Sequence, residues 1–204
     1  MIENPSGLKG RGKPRDEVLR ESILKAAAEV LLEKGFKHFT MEGVAARAGA
    51  SKVTIYKWWS SKGTLALDGF FHTITDSIAF PQTASARDDV ERQLTAVIKR
   101  FTTTSAGRAI LELIGGAQED PDLKRELRVR YIQPRRELAA VAFARLLGWD
   151  LEERKEELHA VTDQVYGAIY NRLLFGLLPL DENFARELVD FWVAKVAMPG
   201  GPGV

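Results

Sequence analysis

Cysteine is absent from this chain, and its 204 residues include only three histidines. The first absence excludes a disulfide scaffold, a zinc–thiolate site, an iron–sulfur cluster and thiol catalysis. His38, His72 and His159 lie far apart, and no His/Asp/Glu group has metal-ligand spacing, so neither a metal nor a cofactor is expected. Long apolar runs are missing too: none reaches the ~18–20 residues of a membrane-spanning helix. Nor is there a leader-type apolar stretch, because Lys9, Arg11, Lys13, Arg15, Asp16, Glu17 and Glu21 crowd the beginning. A cytoplasmic protein with no membrane association is the expectation. No Gly-rich phosphate loop follows a strand. Ser51, Ser60 and Ser61 sit where helix caps belong, and Glu152, Glu153, Glu156 and Glu157 sit where a helix start favours acids. An enzyme is therefore not expected.

The net charge of only +1 conceals an asymmetry. Residues 1–62 carry 12 Lys/Arg against 7 Asp/Glu, whereas residues 63–204 carry 17 against 21. Such a basic head on an acidic body either marks a polyanion partner for the head or is the scatter of a mixed surface. Apolar residues recur at helical spacing almost throughout, and alternating strand patterns are nearly absent. Helices are predicted at about 17–34, 41–48, 52–59, 61–80, 87–104, 107–118, 122–147, 152–177 and 182–197, an all-α protein of about nine helices. Gly35 and Gly49 are stop signals, Thr40, Ser51 and Ser61 are start signals, and Pro134 should kink or break the run it falls in. Two short helices joined through Ala48-Gly49-Ala50-Ser51 have the layout of a helix-turn-helix. The organisation expected is a flexible basic arm (1–16), a helix-turn-helix domain (17–62), a connecting helix (63–81), a second domain (82–198) and a disordered tail (199–204).

Within the third helix, Ile55 and Trp59 are four residues apart and can bury against Val44, Ala45 and Ala48. Lys52, Val53, Tyr56 and Lys57 are then left facing outward. Lys52 opens that helix, where a cation is disfavoured by ~0.3–1 kcal/mol unless an anion faces it. The succession Thr40, Val44-Ala45, Ala48-Gly49-x-Ser51, Thr54-Ile55-Tyr56, Trp59 and Ser61-Lys62, preceded by Gly35-Phe36, resembles the DNA-binding signature of the TetR family of bacterial transcriptional regulators over residues 17–66. Gly43 and Gly63 depart from it, each weakening its helix by up to ~1 kcal/mol relative to Ala. The resemblance implies phosphate contacts from Thr40 and Lys62, base-edge contacts from Lys52, Val53, Thr54 and Trp58, and a grip on the flanking backbone by Tyr56 and Lys57. For Trp58 packing within the head is the alternative. The arm Lys9–Arg15 either reaches the minor groove or stays a solvated basic tail, the latter preferred.

The body resembles the family in architecture alone, which implies a second domain that binds an effector and a homodimer formed by the last two helices. Residues 152–177 and 182–197 are apolar over more than one side, as core plus interface requires, or as a monomeric bundle core would. Val165, Ile169, Leu188 and Trp192 are the interface candidates. Phe101, Leu111, Ile114, Tyr131, Tyr166, Tyr170 and Phe175 are candidates for a pocket, although a filled core accounts for each equally well. Three tyrosines there would suit a small, mainly apolar organic effector with one or two hydrogen-bonding groups. The function implied is a ligand-responsive transcriptional repressor that binds a near-palindromic double-stranded operator as a homodimer. The alternative is an all-α effector-binding or interaction protein without specific DNA binding.

Overall fold

A computed structural model describes residues 13–74 and 80–197. Ten α-helices are present among them: α1 (Lys13–Lys34), α2 (Met41–Ala48), α3 (Lys52–Trp58), α4 (Lys62–Ile74), α5 (Ala86–Thr103), α6 (Ser105–Gly116), α7 (Pro121–Leu127), α8 (Gln133–Leu147), α9 (Lys155–Phe175) and α10 (Glu182–Ala197). A π-helical turn, Arg128–Ile132, joins α7 to α8. Those two form one rod, so nine rods make up the described chain, and it contains no strand.

Local chemistry sets the boundaries of the N-terminal helices. The Thr40 hydroxyl accepts from Gly43 N–H at 3.0 Å to start α2, and Gly49 ends it at φ 63°, a left-handed conformation that side-chain-bearing residues avoid. Ser51 accepts from Thr54 N–H at 3.1 Å to start α3. At α4 the capping is reciprocal: Ser61 Oγ accepts from Thr64 N–H at 3.2 Å, and Ser61 N–H donates to Thr64 Oγ1 at 3.3 Å.

Several boundaries differ from expectation. Helix α1 starts at Lys13, four residues early, so residues 13–16 of the expected arm are helical. Residues 1–12, 75–79 and 198–204 lie outside the described chain, and with them most of the arm, the end of the connecting helix and the tail. Phe80, where that helix was expected to finish, is not helical. Helix α9 begins at Lys155 because Asp150 accepts from the N–H groups of Glu152 and Glu153, both at 2.9 Å, holding them in a separate turn. Pro134 neither breaks nor sharply ends its rod. Its ring nitrogen cannot donate back along the helix, and just before it the ladder widens so that Gln133 N–H bonds Arg128 C=O.

Packing divides the protein differently from the expected domains. One core gathers Ile23, Leu31, Phe39, Val44, Ile55, Trp59, Leu67 and Phe70 of the head with Ile110, Leu113, Leu123 and Tyr131 of the body. The other joins α5, α8, α9 and α10 through Leu94, Phe143, Val161, Val165 and Trp192. Helices α1 and α4 touch almost backbone to backbone, since a Cβ on Gly69 would lie 2.8 Å from Ala28 N. Gly63, a departure from the family pattern, is buried where α4 meets α7: a Cβ there would come within 3.2 Å of Asp120 Oδ2 and Leu123 Cβ.

Candidate functional site

Helix α3 is oriented by its apolar side. Ile55 is fully buried and Trp59 is 4% exposed, both against the head core that contains Val44 and Ala45. One turn of rotation then leaves Lys52, Val53, Tyr56 and Lys57 exposed, and Val53 is 78% exposed although apolar. No acidic residue lies on α3. Thr54 is half-buried at the edge of this surface, its hydroxyl 2.9 Å from Ser51 Oγ. The Tyr56 hydroxyl donates to Glu42 Oε1 at 3.0 Å, which fixes the ring across the α2–α3 angle. Glu42 is held below the ordinary carboxylate range, first by its own backbone N–H and then by Tyr56. The Tyr56 phenol is raised by the same bond, so it stays neutral and keeps donating.

Thr40 and Lys62 are exposed at the starts of α2 and α4, and the Lys62 ammonium rests 4.8 Å above the Phe36 ring. Trp58 departs from the expected base-edge set. It is half-buried against the head core, edge-on to Trp59 with centroids 5.8 Å apart, because it follows Ile55 by three residues and shares its side of the helix. Arg47, also on the head, is engaged by Glu33 at 2.8 Å. The surface left over is small, cationic and partly apolar, and it is flanked by two helix N-termini. Such a surface suits phosphates at its margins and base edges at its centre.

Between the two cores lies a cavity of about 250 Å³. Phe101, Tyr131, Tyr166 and Tyr170 line it; Leu111, Ile114 and Phe175 do not. Leu111 and Ile114 are carried by α6, where Ile114 packs toward the head core, and Phe175 is 66% exposed at the end of α9. The Tyr131 and Tyr170 hydroxyls lie 3.2 Å apart, and burial raises all three cavity tyrosines above the usual phenol range. Arg135, Arg100 and Thr162 also face the cavity and are not foreseen from sequence. The four-residue spacing of Arg135 from Tyr131 does not by itself bring it inward, since an arginine at that spacing is ordinarily solvated.

From the cavity wall a chain of contacts runs to the end of α3. The Tyr131 ring packs against Phe70 and Phe71 of α4, centroids 5.8 and 5.9 Å away. Its neighbour Arg130 pairs with Asp68 at 2.5 Å, and Asp68 Oδ2 accepts from the Trp59 indole N–H at 2.8 Å. Neither Asp68 nor Arg130 carries a sequence signal.

The expected interface residues are mostly core within one protomer. Val165 (1% exposed), Ile169 and Trp192 are buried, and Leu188 is half-buried against the second core. Their stripe faces the neighbouring helices of the same chain. Leu174, Phe175, Leu177, Leu178 and Phe191 are instead the exposed apolar residues of α9, its following loop and α10.

Comparison with known proteins adds to this geometry. Residues 23–68 match the description bacterial regulatory proteins, tetR family, and residues 80–191 match tetracyclin repressor-like, C-terminal domain. An uncharacterized HTH-type transcriptional regulator, YdeS of Bacillus subtilis strain 168, is 41% identical over 181 residues, which is 88% of this chain and 90% of YdeS. A DNA-binding transcriptional repressor of Mycobacteroides abscessus is 28% identical over 189 residues, 91% of this chain and 97% of that protein. Among solved structures, the TetR family transcription regulator SCO0332 superposes with a TM-score of 0.74 at 41% identity, covering 89% of this chain and 99% of its own.

Proposed function

The chain belongs to the TetR family of DNA-binding transcriptional regulators, and from that premise we propose a repressor that holds its operator as a homodimer and releases it when a small organic effector fills the cavity. Lys52, Val53 and Thr54 read base edges in the major groove, Thr40 and Lys62 hold phosphates at two helix N-termini, and Tyr56 and Lys57 brace the flanking backbone. Trp58 positions the helix rather than reading bases. Two symmetry-related heads call for a near-palindromic site with half-sites about one helical turn, or a multiple of it, apart. The name of the Mycobacteroides relative, a repressor, supports the sign of regulation. Exposed Leu174, Phe175, Leu177, Leu178 and Phe191 support α9 and α10 as the dimer face, in a cytoplasmic protein with access to genomic DNA.

The observation that carries the effector reading is the path from Tyr131, in the cavity wall, through Arg130 and Asp68 to Trp59 at the end of α3. The test is selection of bound duplexes from random DNA, followed by titration of the complex with lipophilic and aromatic metabolites. Specific, symmetric duplexes and a ligand that lowers operator affinity are expected. Binding no tighter than to random DNA at moderate salt overturns the operator reading. A cavity ligand without effect on operator affinity overturns the release mechanism.

A further inference from the structure

Among the polar residues that line the cavity, three arginines and three tyrosines outweigh Asp163 and Gln93, and that narrows what can fill it. Arg135 enters it partly buried, its guanidinium 3.6 Å above the Tyr131 ring. One of its N–H groups donates to the Tyr131 carbonyl at 3.0 Å. No carboxylate among the described residues forms an ion pair with it. Burial draws its titration down from the ordinary guanidinium value, yet a guanidinium keeps its proton at any physiological pH. Asp163, the acid in the lining, is exposed and already engaged at 2.7 Å by half-buried Arg136, which adds a third guanidinium to the lining. Arg100 donates to the Thr73 carbonyl at 3.0 Å, and Thr162 to Leu158 within its own helix at 2.8 Å.

The three phenols add donors to this positive charge. In the Tyr131–Tyr170 pair one hydroxyl proton joins the two oxygens and the other remains to be given away. Burial raises all three phenols, so each keeps its proton. Around these groups the walls are the rings of Phe80 and Phe101 and the side chains of Val97 and Ile132. Cationic and neutral donors are in surplus, the walls are apolar, and the volume of about 250 Å³ is near the small end for ligand sites.

We propose that the cavity binds a small organic anion, a carboxylate on an apolar or aromatic body, with the anionic group paired to Arg135 and receiving a phenol O–H from the tyrosine cluster. This rests on the reading of the cavity as the effector site and names the chemical class of that effector. A neutral ligand would leave the guanidinium half-dried and without a counter-charge, and a cation would meet it at close range. A carboxylate instead accepts from the guanidinium fork and from a phenol together, the stronger kind of hydrogen bond.

The test is calorimetric titration of the full chain with two scaffolds, 1-naphthoate and octanoate, each beside its uncharged amide and its primary amine. On at least one scaffold the carboxylate should bind tighter than its amide by roughly 10- to 100-fold, the factor that a charge-assisted hydrogen bond supplies. Arg135→Met should erase the preference and Arg135→Lys should keep most of it. Should Arg135→Met fail to fold, the wild-type comparison decides unaided, with Tyr166→Phe as a second probe expected to weaken carboxylate binding more than amide binding. An amide or amine that binds as well as its carboxylate on both scaffolds overturns the proposal, as does a carboxylate preference surviving Arg135→Met, or no binding by any of the six compounds at millimolar concentration. Operator anisotropy in the same samples keeps the two readings apart. A carboxylate that binds through Arg135 but leaves operator affinity unchanged sinks the release mechanism alone, and an amide that releases operator as well as the acid sinks this one alone.

Discussion

Asp68 on α4 is where the head and the cavity wall are joined, and removing its side chain has a cost that can be worked from the structure. Its Oδ2 accepts from the Trp59 indole N–H at 2.8 Å, and the Trp59 side chain is buried. In Asp68→Ala that donor loses its partner, which costs about 1–3 kcal/mol. Arg130 at 2.5 Å and Arg20 at 3.9 Å also lose an anion, but their side chains are 40% and 56% exposed, so together they add no more than about 1 kcal/mol. The total is about 1–4 kcal/mol. Asp68→Asn keeps an oxygen for the indole and loses only the ionic share, so it should cost about 1 kcal/mol or less. Urea denaturation measures both, with the midpoint moving at constant slope. If the two variants are equally stable, the indole bond contributes nothing and the argument fails. In Asp68→Asn, which should remain folded, the effector-induced loss of operator affinity should shrink, from a coupling expected at about 1–3 kcal/mol. Undiminished coupling would refute the ionic half of the path and leave the Tyr131–Phe70–Phe71 packing to carry it.

The remaining predictions concern the dimer, the DNA surface and acid. Leu177→Asp, at a residue 80% exposed, should leave protomer stability within about 0.5 kcal/mol but abolish the dimer in sedimentation, whereas Trp192→Asp should unfold the chain by burying an unpaired charge. A wild-type chain that sediments as a monomer at micromolar concentration rules the dimer out. Lys62→Ala should weaken binding to every duplex and flatten the salt dependence by up to about one unit of log–log slope, while replacing Thr54 should change which sequence is preferred; a selected site bound unchanged by the Thr54 variant would remove that residue from the readout. Asp89 is buried, which by itself would raise its pKa, but hydrogen bonds from Thr83 N–H, Thr83 Oγ1 and Arg145 outweigh this and hold it below the ordinary value. Its stabilisation is therefore present above the unfolded value of about 3.9 and lost as pH falls through the lower folded one. The stability gap between wild type and Asp89→Asn should be constant near neutrality and close in that acid range; a gap that persists in acid would contradict the assignment.

The helix-turn-helix was legible because its signals are local. Thr40 to Gly43 and Ser51 to Thr54 are caps spanning three residues, and Gly49 needs only its own conformation, so neither depends on a distant partner. The three cavity tyrosines were legible for a related reason: hydroxyls on otherwise apolar helical runs need polar partners wherever they are buried. Arg135 was not, since an arginine reads as solvated until the π turn and the Tyr131 ring are seen to bring it inward. Phe191 and Trp192 show most clearly why sequence alone does not sort core from exposed positions on the last helices. They are adjacent, equally apolar, and about 100° apart around α10, so a small uncertainty in the helix's rotation exchanges an exposed position for a core one. Helix α9 poses the same difficulty, with Ile169 buried and Phe175 exposed six residues later.

The same packing constrains how a filled cavity can reach the DNA surface. A connecting helix between two separate domains would transmit by bending between them, yet α4 has no freedom to bend away from the head. Its Gly69 backbone lies against Ala27 and Ala28 of α1, so α1 and α4 must move together, and with them α3, which is locked to α4 through Trp59 and Asp68. The opposite face of α4 meets the body through Gly63 on Asp120 and Leu123, Asp68 on Arg130, and Phe70 and Phe71 on Tyr131. Only this last group includes a cavity residue. A ligand that displaces Tyr131 therefore pushes on one end of α4, a rod of 13 residues and roughly 20 Å, while Gly63 holds the other end closely to α7. The response this favours is a tilt of the head about its Gly63 end, against the bonds that Phe36 N–H makes to Glu112 and Arg108 to the Leu32 carbonyl. Within a dimer, opposite tilts of two heads change the separation of the two α3 helices without altering either reading surface. Release would then come from a mismatch with half-site spacing, and a half-operator bound by one head should be nearly insensitive to the effector.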